Sequence, residues 1–328
     1  MSVNRDKALD VLKGIGILSM IMGHSNMGEI FTTYVAGFHM QLFFLVSGFL
    51  FNSKKYSLIQ YTKRKAKSLL LPYATFAIVT LVVCLIVSFV SGSNVYGFPS
   101  CLLGIVYSNR SIFPITGAIW FLQCLFLVCV LFWFISRVPR IFQLIVLFVF
   151  SLLGYYQSKY DLHLPFALDS ALTATLFYAV GFYARGFTDR LLGCRHSLVL
   201  GTILIVCSGI SIFLNGQVNP RTCEYGFYPV YFINAILSVW GWYYIAKWLS
   251  NKAMGTLISR IGADSILYLG FNQLIILGLY KLFSVLFHFE STLWKGLRNI
   301  MIALLTTIVL YGLTAIINKS KIKYLFGK

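Results

Sequence analysis

Long apolar runs separated by short polar stretches follow one another along almost the whole chain. Ten of them approach or exceed the roughly 20 mostly apolar residues that a helix needs to cross a bilayer. They cover residues 9–30, 35–52, 69–91, 117–136, 141–157, 168–184, 197–214, 228–247, 264–287 and 299–317. Apolar and polar positions do not alternate within them, as they would in the strands of a membrane barrel. The pattern therefore predicts an all-α integral membrane protein in which one domain, 1–328, forms a polytopic bundle of about ten transmembrane helices.

The composition agrees with a membrane location. Of the 328 residues, 59% are hydrophobic and only 11% are charged, so the apolar surface far exceeds what one soluble core can bury. The formal net charge of +18 raises the question of nucleic acid, but the basic residues stand in short stretches between apolar runs and not on a soluble basic domain. We therefore expect membrane lipid, and no nucleic acid, among the partners.

The basic residues divide unevenly between the two sets of alternate loops. One set, taken with both terminal segments and Lys13, holds 21 Lys and Arg residues, whereas the opposite set holds six. Because cytoplasmic loops carry the excess of Lys and Arg, both termini are predicted to lie in the cytoplasm. A missed or invented span would reverse every later loop and remove this asymmetry, so the asymmetry supports the number of spans.

The first predicted helix carries three ionisable residues, Asp10, Lys13 and His24, which are costly in hydrocarbon. Eleven residues from Lys13 to His24 amount to about 1100° of rotation and about 16 Å along the axis, so the two share one face. Lys13 lies towards the cytoplasm, His24 lies in the outer half, and Asp10 is close enough to pair with Lys13. Either this face links the two membrane sides, or Lys13 reaches the headgroups with Asp10 as its counter-ion and His24 is interfacial.

A second histidine, His39, begins the second span at a depth similar to that of His24. Two imidazoles at one level supply a general base and an orienting partner, although a single histidine at a membrane edge is more often structural. Ser47 and Trp120 are candidates for the acceptor side. Alternatively, Ser47 allows close helix packing and Trp120 is an ordinary interfacial aromatic residue.

A cytoplasmic basic cluster, Lys63, Arg64, Lys65 and Lys67, directly precedes the sequence LLLPY at 69–73. Such a cluster either binds phosphate groups or is a stop-transfer charge run that lies on anionic lipid.

Two segments on the predicted outer side, 92–116 and 215–227, are rich in turn-forming residues and are expected to form an extracytoplasmic lid. Cys101 and Cys223 fall in these two segments, and a disulfide between them is one alternative in an oxidising compartment. No Cys-x-x-Cys pair occurs, so metal or redox chemistry is not expected.

Together these elements resemble the acyltransferase 3 family, and most closely its fucose 4-O-acetylase-like branch, whose members O-acylate exported carbohydrates. The family's best marker, a basic residue separated by ten residues from a histidine on the first helix, is met by Lys13 and His24. Further matches follow in order: FHMQLFFLVSGFLF (38–51), the run from Arg64 through LLLPY, GAIWFL (117–122) and FYAVGFYARG (177–186).

Three positions depart from the family pattern. Lys13 stands where arginine is more frequent, which keeps the charge but loses the planar fork of the guanidinium. Gln41 stands where proline is usual, and Asn272 replaces a common histidine, so a third imidazole is not expected.

The resemblance implies an O-acyltransferase, most often an O-acetyltransferase, in a bacterial cytoplasmic (inner) membrane. It takes acyl-CoA as a co-substrate from the cytoplasm, has no permanently bound cofactor or metal, and acylates a hydroxyl of a polysaccharide or a lipid-linked sugar. On this interpretation His24 is the general base that acts at the thioester. The candidate residues are His24, His39 and Asp10 for catalysis, and Lys13, Lys63, Arg64 and Lys67 for acyl-CoA binding.

Two rival interpretations come from other functional classes. Composition alone equally permits a polytopic transporter or flippase for a polysaccharide intermediate, but the sequence shows neither the internal repeats nor the broken helices that transporters often have. A membrane sensor or assembly scaffold would make the buried charges structural. The oligomeric state does not follow from the sequence.

Overall fold

The computed structural model describes residues 6–52, 56–91, 104–105, 117–160, 164–191, 197–287 and 291–328. Within these ranges the chain is helical and contains no strand. The helices are α1 (Lys7–His24), α2 (Glu29–Ala36), α3 (His39–Phe49), α4 (Leu58–Lys65), α5 (Leu71–Ser91), α6 (Trp120–Ile135), α7 (Arg140–Tyr160), α8 (Leu168–Leu191), α9 (Ser197–Asn215), α10 (Tyr228–Ser250), α11 (Ala253–Ala263), α12 (Ser265–Leu286) and α13 (Thr292–Lys319).

Eight stretches of the described chain are long and apolar enough to cross a membrane. They are Glu29–Phe49, Leu58–Val90, Gly117–Ile135, Arg140–Tyr160, Pro165–Arg185, Leu198–Asn215, Ser265–Leu286 and Thr292–Lys319. The all-α, polytopic membrane fold is thereby confirmed, with eight such stretches where the sequence predicted about ten spans.

The two predicted spans outside this set, α1 and α10, are also helical, and much of each is buried inside the protein. Val11, Ile17 and Ile21 of α1 have no exposed surface. Since α1 packs against other helices and less against lipid, it tolerates charges that a lipid-facing helix does not.

The second predicted span, 35–52, is not one continuous helix. It holds α3 and only the last two residues of α2, and the two helices meet at a break around Gly37 and Phe38, inside the candidate span Glu29–Phe49. Phe38 leaves the helical conformation and is fully buried, with its ring against those of Tyr34 and Trp242. This break depends on contacts with a distant helix, which periodicity does not reveal.

Glycines bring the helices around α3 and α1 into backbone contact. A Cβ atom at Gly48 of α3 would overlap the carbonyl oxygen of Tyr178 in α8, and Gly181 of α8 is equally close to the α3 backbone. Gly14 and Gly262 join α1 to α11 in the same way. Small residues at such contacts let membrane helices approach closely, so these pairs fix where α1 and α3 lie.

The beginning of α1 and the last residue lie at the same end of the bundle. The Lys7 Nζ atom donates to Thr256 Oγ1 at 3.0 Å, and Lys328 forms an ion pair with Asp264. Gly262, two residues before Asp264, packs against the Asp10 backbone near the start of α1. His24 ends α1, so its imidazole lies towards the opposite end of the molecule.

Candidate active site

A cavity of about 280 Å³ lies where α1 ends and α3 begins, and we call it the outer cavity. His24 and His39 both line it. His24 as a whole residue is exposed, whereas His39 is half-buried. Trp120, at the start of α6, also lines the cavity. The fold therefore brings the two predicted imidazoles and the predicted acceptor-side tryptophan to one space.

The ring of His39 has a defined orientation. Its Nδ1 lies 2.7 Å from the backbone carbonyl oxygen of Val35, at the end of α2. A carbonyl can only accept a hydrogen bond, so Nδ1 carries the proton. In the neutral ring Nε2 therefore keeps its lone pair and can accept a proton or a hydrogen bond.

The turn that follows His24 is held by two later helices. The Tyr280 hydroxyl of α12 lies 2.9 Å from both the Ser25 carbonyl oxygen and Asn299 Oδ1, and shares its single proton between them. Asn299 Nδ2 of α13 donates to the Asn26 carbonyl oxygen at 2.8 Å. Ser25 and Asn299 are buried. These bonds fix the backbone next to His24 and thus limit the movement of its ring.

Sequence reasoning did not identify three residues of the opposite wall, Gly117, Arg221 and Gln273. Gln273 Oε1 accepts from the Ala118 amide at 3.2 Å. Arg221 belongs to the 215–227 segment, which the sequence predicted as a lid and which does line the cavity. A lone arginine in a turn-rich segment carries no signal of its own, because only the fold shows what it faces.

A second cavity, of about 600 Å³, lies at the end of the bundle that holds Lys328, and we call it the inner cavity. Three aromatic residues and the penultimate residue, Gly327, line it together with four cations. The cations are Arg64, Lys65, Lys67 and Arg185. Arg64 stacks over the Tyr56 ring at 4.6 Å, and Arg185 Nη1 donates to the Phe51 carbonyl oxygen at 3.0 Å. Three members of the predicted basic cluster, Arg64, Lys65 and Lys67, are therefore joined by Arg185, which sequence reasoning had not assigned.

The remaining predicted residues lie elsewhere. Lys13 and Asp10 form an ion pair with Nζ and Oδ1 2.6 Å apart, as their spacing indicated. Neither they nor Lys63 line the inner cavity. Ser47 is half-buried on α3, eight residues and about 12 Å beyond His39, and does not line the outer cavity. Cys101 lies outside the described residues, so its proposed pairing with Cys223 stays a prediction.

Helix α3 runs from one cavity to the other. His39 lines the outer cavity and Leu50 lines the inner one, eleven residues or about 16 Å along the axis. Aromatic rings occupy the space alongside: Phe44 contacts Phe121 with centroids 4.9 Å apart, and Phe51 contacts four further rings. A molecule that extends from one cavity to the other must therefore displace some of these side chains.

A family model described as an acyltransferase domain matches residues 6–319. The chain belongs to this acyltransferase family. The match spans both cavities and all the helices described above, so the acyltransferase is a membrane enzyme that transfers acyl groups. No curated protein and no solved structure matches the chain. The narrower likeness to the fucose 4-O-acetylase branch stays a prediction.

Proposed function

We propose that this acyltransferase moves an acyl group, most commonly acetyl, from cytoplasmic acyl-CoA to a hydroxyl of a cell-surface or lipid-linked polysaccharide, in a bacterial cytoplasmic membrane. The observation that carries the proposal is the pair of cavities at opposite ends of one helix, a cationic one inside and one with two imidazoles outside.

The inner cavity suits the phosphates of CoA. Its four cations include two arginines, whose planar forks match phosphate oxygens. Tyr56 and Tyr61 add aromatic surface. Lys13 forms an ion pair with Asp10 in the first half of α1. It does not line this cavity, but it adds a positive charge on the side from which acyl-CoA enters. CoA is thus bound as a co-substrate.

The thioester reaches the outer cavity on the pantetheine arm, whose length is of the same order as the 16 Å between the cavities. The arm passes only when the rings along α3 move. While the rings stay in place, they close the passage between the two cavities to water.

In the outer cavity, His24 as a neutral imidazole takes the proton of the acceptor hydroxyl while that oxygen attacks the acyl carbonyl. A new ester C–O bond forms and the C–S bond breaks. His24 then returns the proton to the leaving CoA thiolate, so the enzyme ends the cycle unchanged. In the neutral ring of His39 the Val35 bond holds the proton on Nδ1, so Nε2 can orient His24 or the hydroxyl as an acceptor.

The test uses membranes that contain the enzyme, radiolabelled acetyl-CoA and the native glycan. We expect label in the glycan and its loss on mild alkali, which cleaves esters. Membranes with His24→Ala serve as the control and should incorporate label at least about 100-fold more slowly. Absence of label in every glycan tested, together with export of an unmodified glycan, would instead favour a transporter or flippase.

A further inference from the structure

The outer cavity contains a permanent positive charge. Arg221 lines it beside the two imidazoles, which are neutral in the proposed mechanism, and no Asp or Glu lines it among the described residues. Arg221 is charged at all relevant pH values. Since membrane and protein surround the cavity, its field is screened less than at an open surface.

The backbone around Arg221 is firmly held. Within the 215–227 segment, Asn219 and Glu224 form an antiparallel bridge with N–O distances of 2.8 and 3.1 Å. Ser170 Oγ, at the start of α8, donates to the Pro220 carbonyl oxygen at 2.9 Å. These contacts anchor the residue next to Arg221 to the helix bundle, so the fold fixes the backbone from which the Arg221 side chain reaches the cavity.

In this position the guanidinium packs directly against Gly117 of the facing wall. A Cβ atom at Gly117 would overlap Arg221 Nη1, and it would also lie within 3.7 Å of Gln273 Oε1. Gln273 uses that oxygen to accept from the Ala118 amide, which leaves its amide nitrogen as a second donor on this wall. Arg221 and Gln273 together offer the donors that an oxyanion requires.

We propose that Arg221 binds an anionic group of the acceptor, so that the preferred acceptor is an acidic glycan that carries a carboxylate or a phosphate near the acylated hydroxyl. The inference rests on the proposed function and names the substrate class of its acceptor site. A guanidinium binds both anions through paired hydrogen bonds. The bound anion also offsets the charge that His24 acquires when it takes the hydroxyl proton.

Binding is measured first, without any acyl donor, so that the result does not depend on catalysis. The purified enzyme is titrated with oligogalacturonate and with oligogalactose, which differ in the C6 carboxylate. A second arm compares a prenyl diphosphate sugar with the uncharged prenyl glycoside, which separates phosphate of a lipid carrier from carboxylate of the sugar. The variants are Arg221→Gln, Arg221→Lys and Gly117→Ala, with Lys281→Gln as the control, because Lys281 is exposed and does not line the cavity.

We expect the wild-type enzyme and Lys281→Gln to bind one of the anionic probes at least tenfold more tightly than its neutral partner. Arg221→Gln should lose the preference, because a hydrogen bond to a charged group contributes roughly 1.5–3 kcal/mol, or about 10- to 100-fold. Gly117→Ala keeps the charge but displaces the guanidinium, so it should lower the preference while the protein stays folded. Added salt should weaken only the anionic probes.

Equal binding of the charged and neutral partners in both arms, or an anion preference that survives in Arg221→Gln, would overturn the proposal. Transfer of radiolabelled acetyl to the same probes is measured separately. Loss of transfer to charged and neutral probes alike in Arg221→Gln, with unchanged binding, would assign Arg221 to transition-state stabilisation and not to acceptor choice. If the enzyme prefers the anionic probes but transfers acetyl to none of them, the result would support anion binding by Arg221 and count against the acyl-transfer function.

Discussion

The Val35 carbonyl decides which nitrogen of His39 is available, and this gives the two histidines different expected roles. Replacing His24 by Ala removes the proposed base, and we expect kcat to fall by about 10²- to 10⁴-fold while the protein still inserts. His39→Asn places an NH₂ group where Nδ1 stands, so it keeps the Val35 bond and removes only Nε2. Loss of one neutral hydrogen bond predicts a decrease in kcat of about 2- to 10-fold.

Both variants are measured with the radiolabel assay on membranes with matched amounts of enzyme. If His39→Asn were as inactive as His24→Ala, the assignment of the orienting role to His39 would be wrong. If His24→Ala retained normal transfer, the proposed mechanism would be wrong.

At the scale of helices, α3 is placed by its backbone contact with α8. Gly48→Ala adds a methyl group that overlaps the Tyr178 carbonyl, and Gly181→Ala does the same on the facing helix. Overpacking of this kind costs roughly 1–3 kcal/mol, so thermal unfolding in detergent should shift to lower temperature for both variants. Gly278→Ala is the matched control, because no atom lies within 4 Å of its added Cβ.

Because α3 carries residues of both cavities, Gly48→Ala should also weaken acyl-CoA binding and acceptor transfer together. A variant that unfolds at the wild-type temperature would contradict the tight α3–α8 contact.

Helices α12 and α13 hold the turn after His24 through Tyr280 and Asn299. Asn299→Ala removes the bonds to Tyr280 and to the Asn26 carbonyl, so the His24 ring gains freedom while neither cavity changes its lining. We predict a decrease in kcat of roughly tenfold with KM nearly unchanged, since misplacement of a catalytic group affects the reaction and not substrate binding.

Thr306→Val is the control for that variant. Thr306 lies two turns further along α13 and is fully buried, as Asn299 is nearly. Asn299→Asp keeps the acceptor for Tyr280 and should recover part of the kcat. Equal losses in Asn299→Ala and Thr306→Val would point to a general effect on stability.

The whole molecule separates a cationic cavity at one end from an imidazole cavity at the other, which predicts that changes at the inner end affect only the donor. Arg64→Gln and Lys67→Gln should each raise KM for acyl-CoA by about 2- to 5-fold, because exposed ion pairs contribute roughly 0.2–1 kcal/mol. KM for an acyl-pantetheine donor, which lacks the nucleotide phosphates, should not change.

Lys63→Gln provides the comparison within the same cluster, since Lys63 is exposed but does not line the inner cavity. It should behave like the wild type with both donors. A rise in KM that is the same for acyl-CoA and acyl-pantetheine would mean that these cations do not recognise the nucleotide end.

Much of the fold follows from local properties of the sequence. The apolar runs are about as long as the bilayer is thick, and a helix forms all its backbone hydrogen bonds internally. The helical conformation and the order of the membrane crossings therefore follow from the local sequence. The pairing of Asp10 with Lys13 is equally local, because three residues of a helix bring them together. The motifs around His24 and His39 likewise indicated the family.

Only the tertiary structure decided what lies opposite these residues. The break between α2 and α3 depends on Phe38 against Trp242, which is about two hundred residues away in the chain. Arg185 joins Arg64 at the inner cavity, and Arg221 joins His24 at the outer cavity, through contacts between distant segments. Periodicity reports the face of one helix, whereas a cavity is formed by side chains from several, so the sequence determined the helices and the fold determined the site.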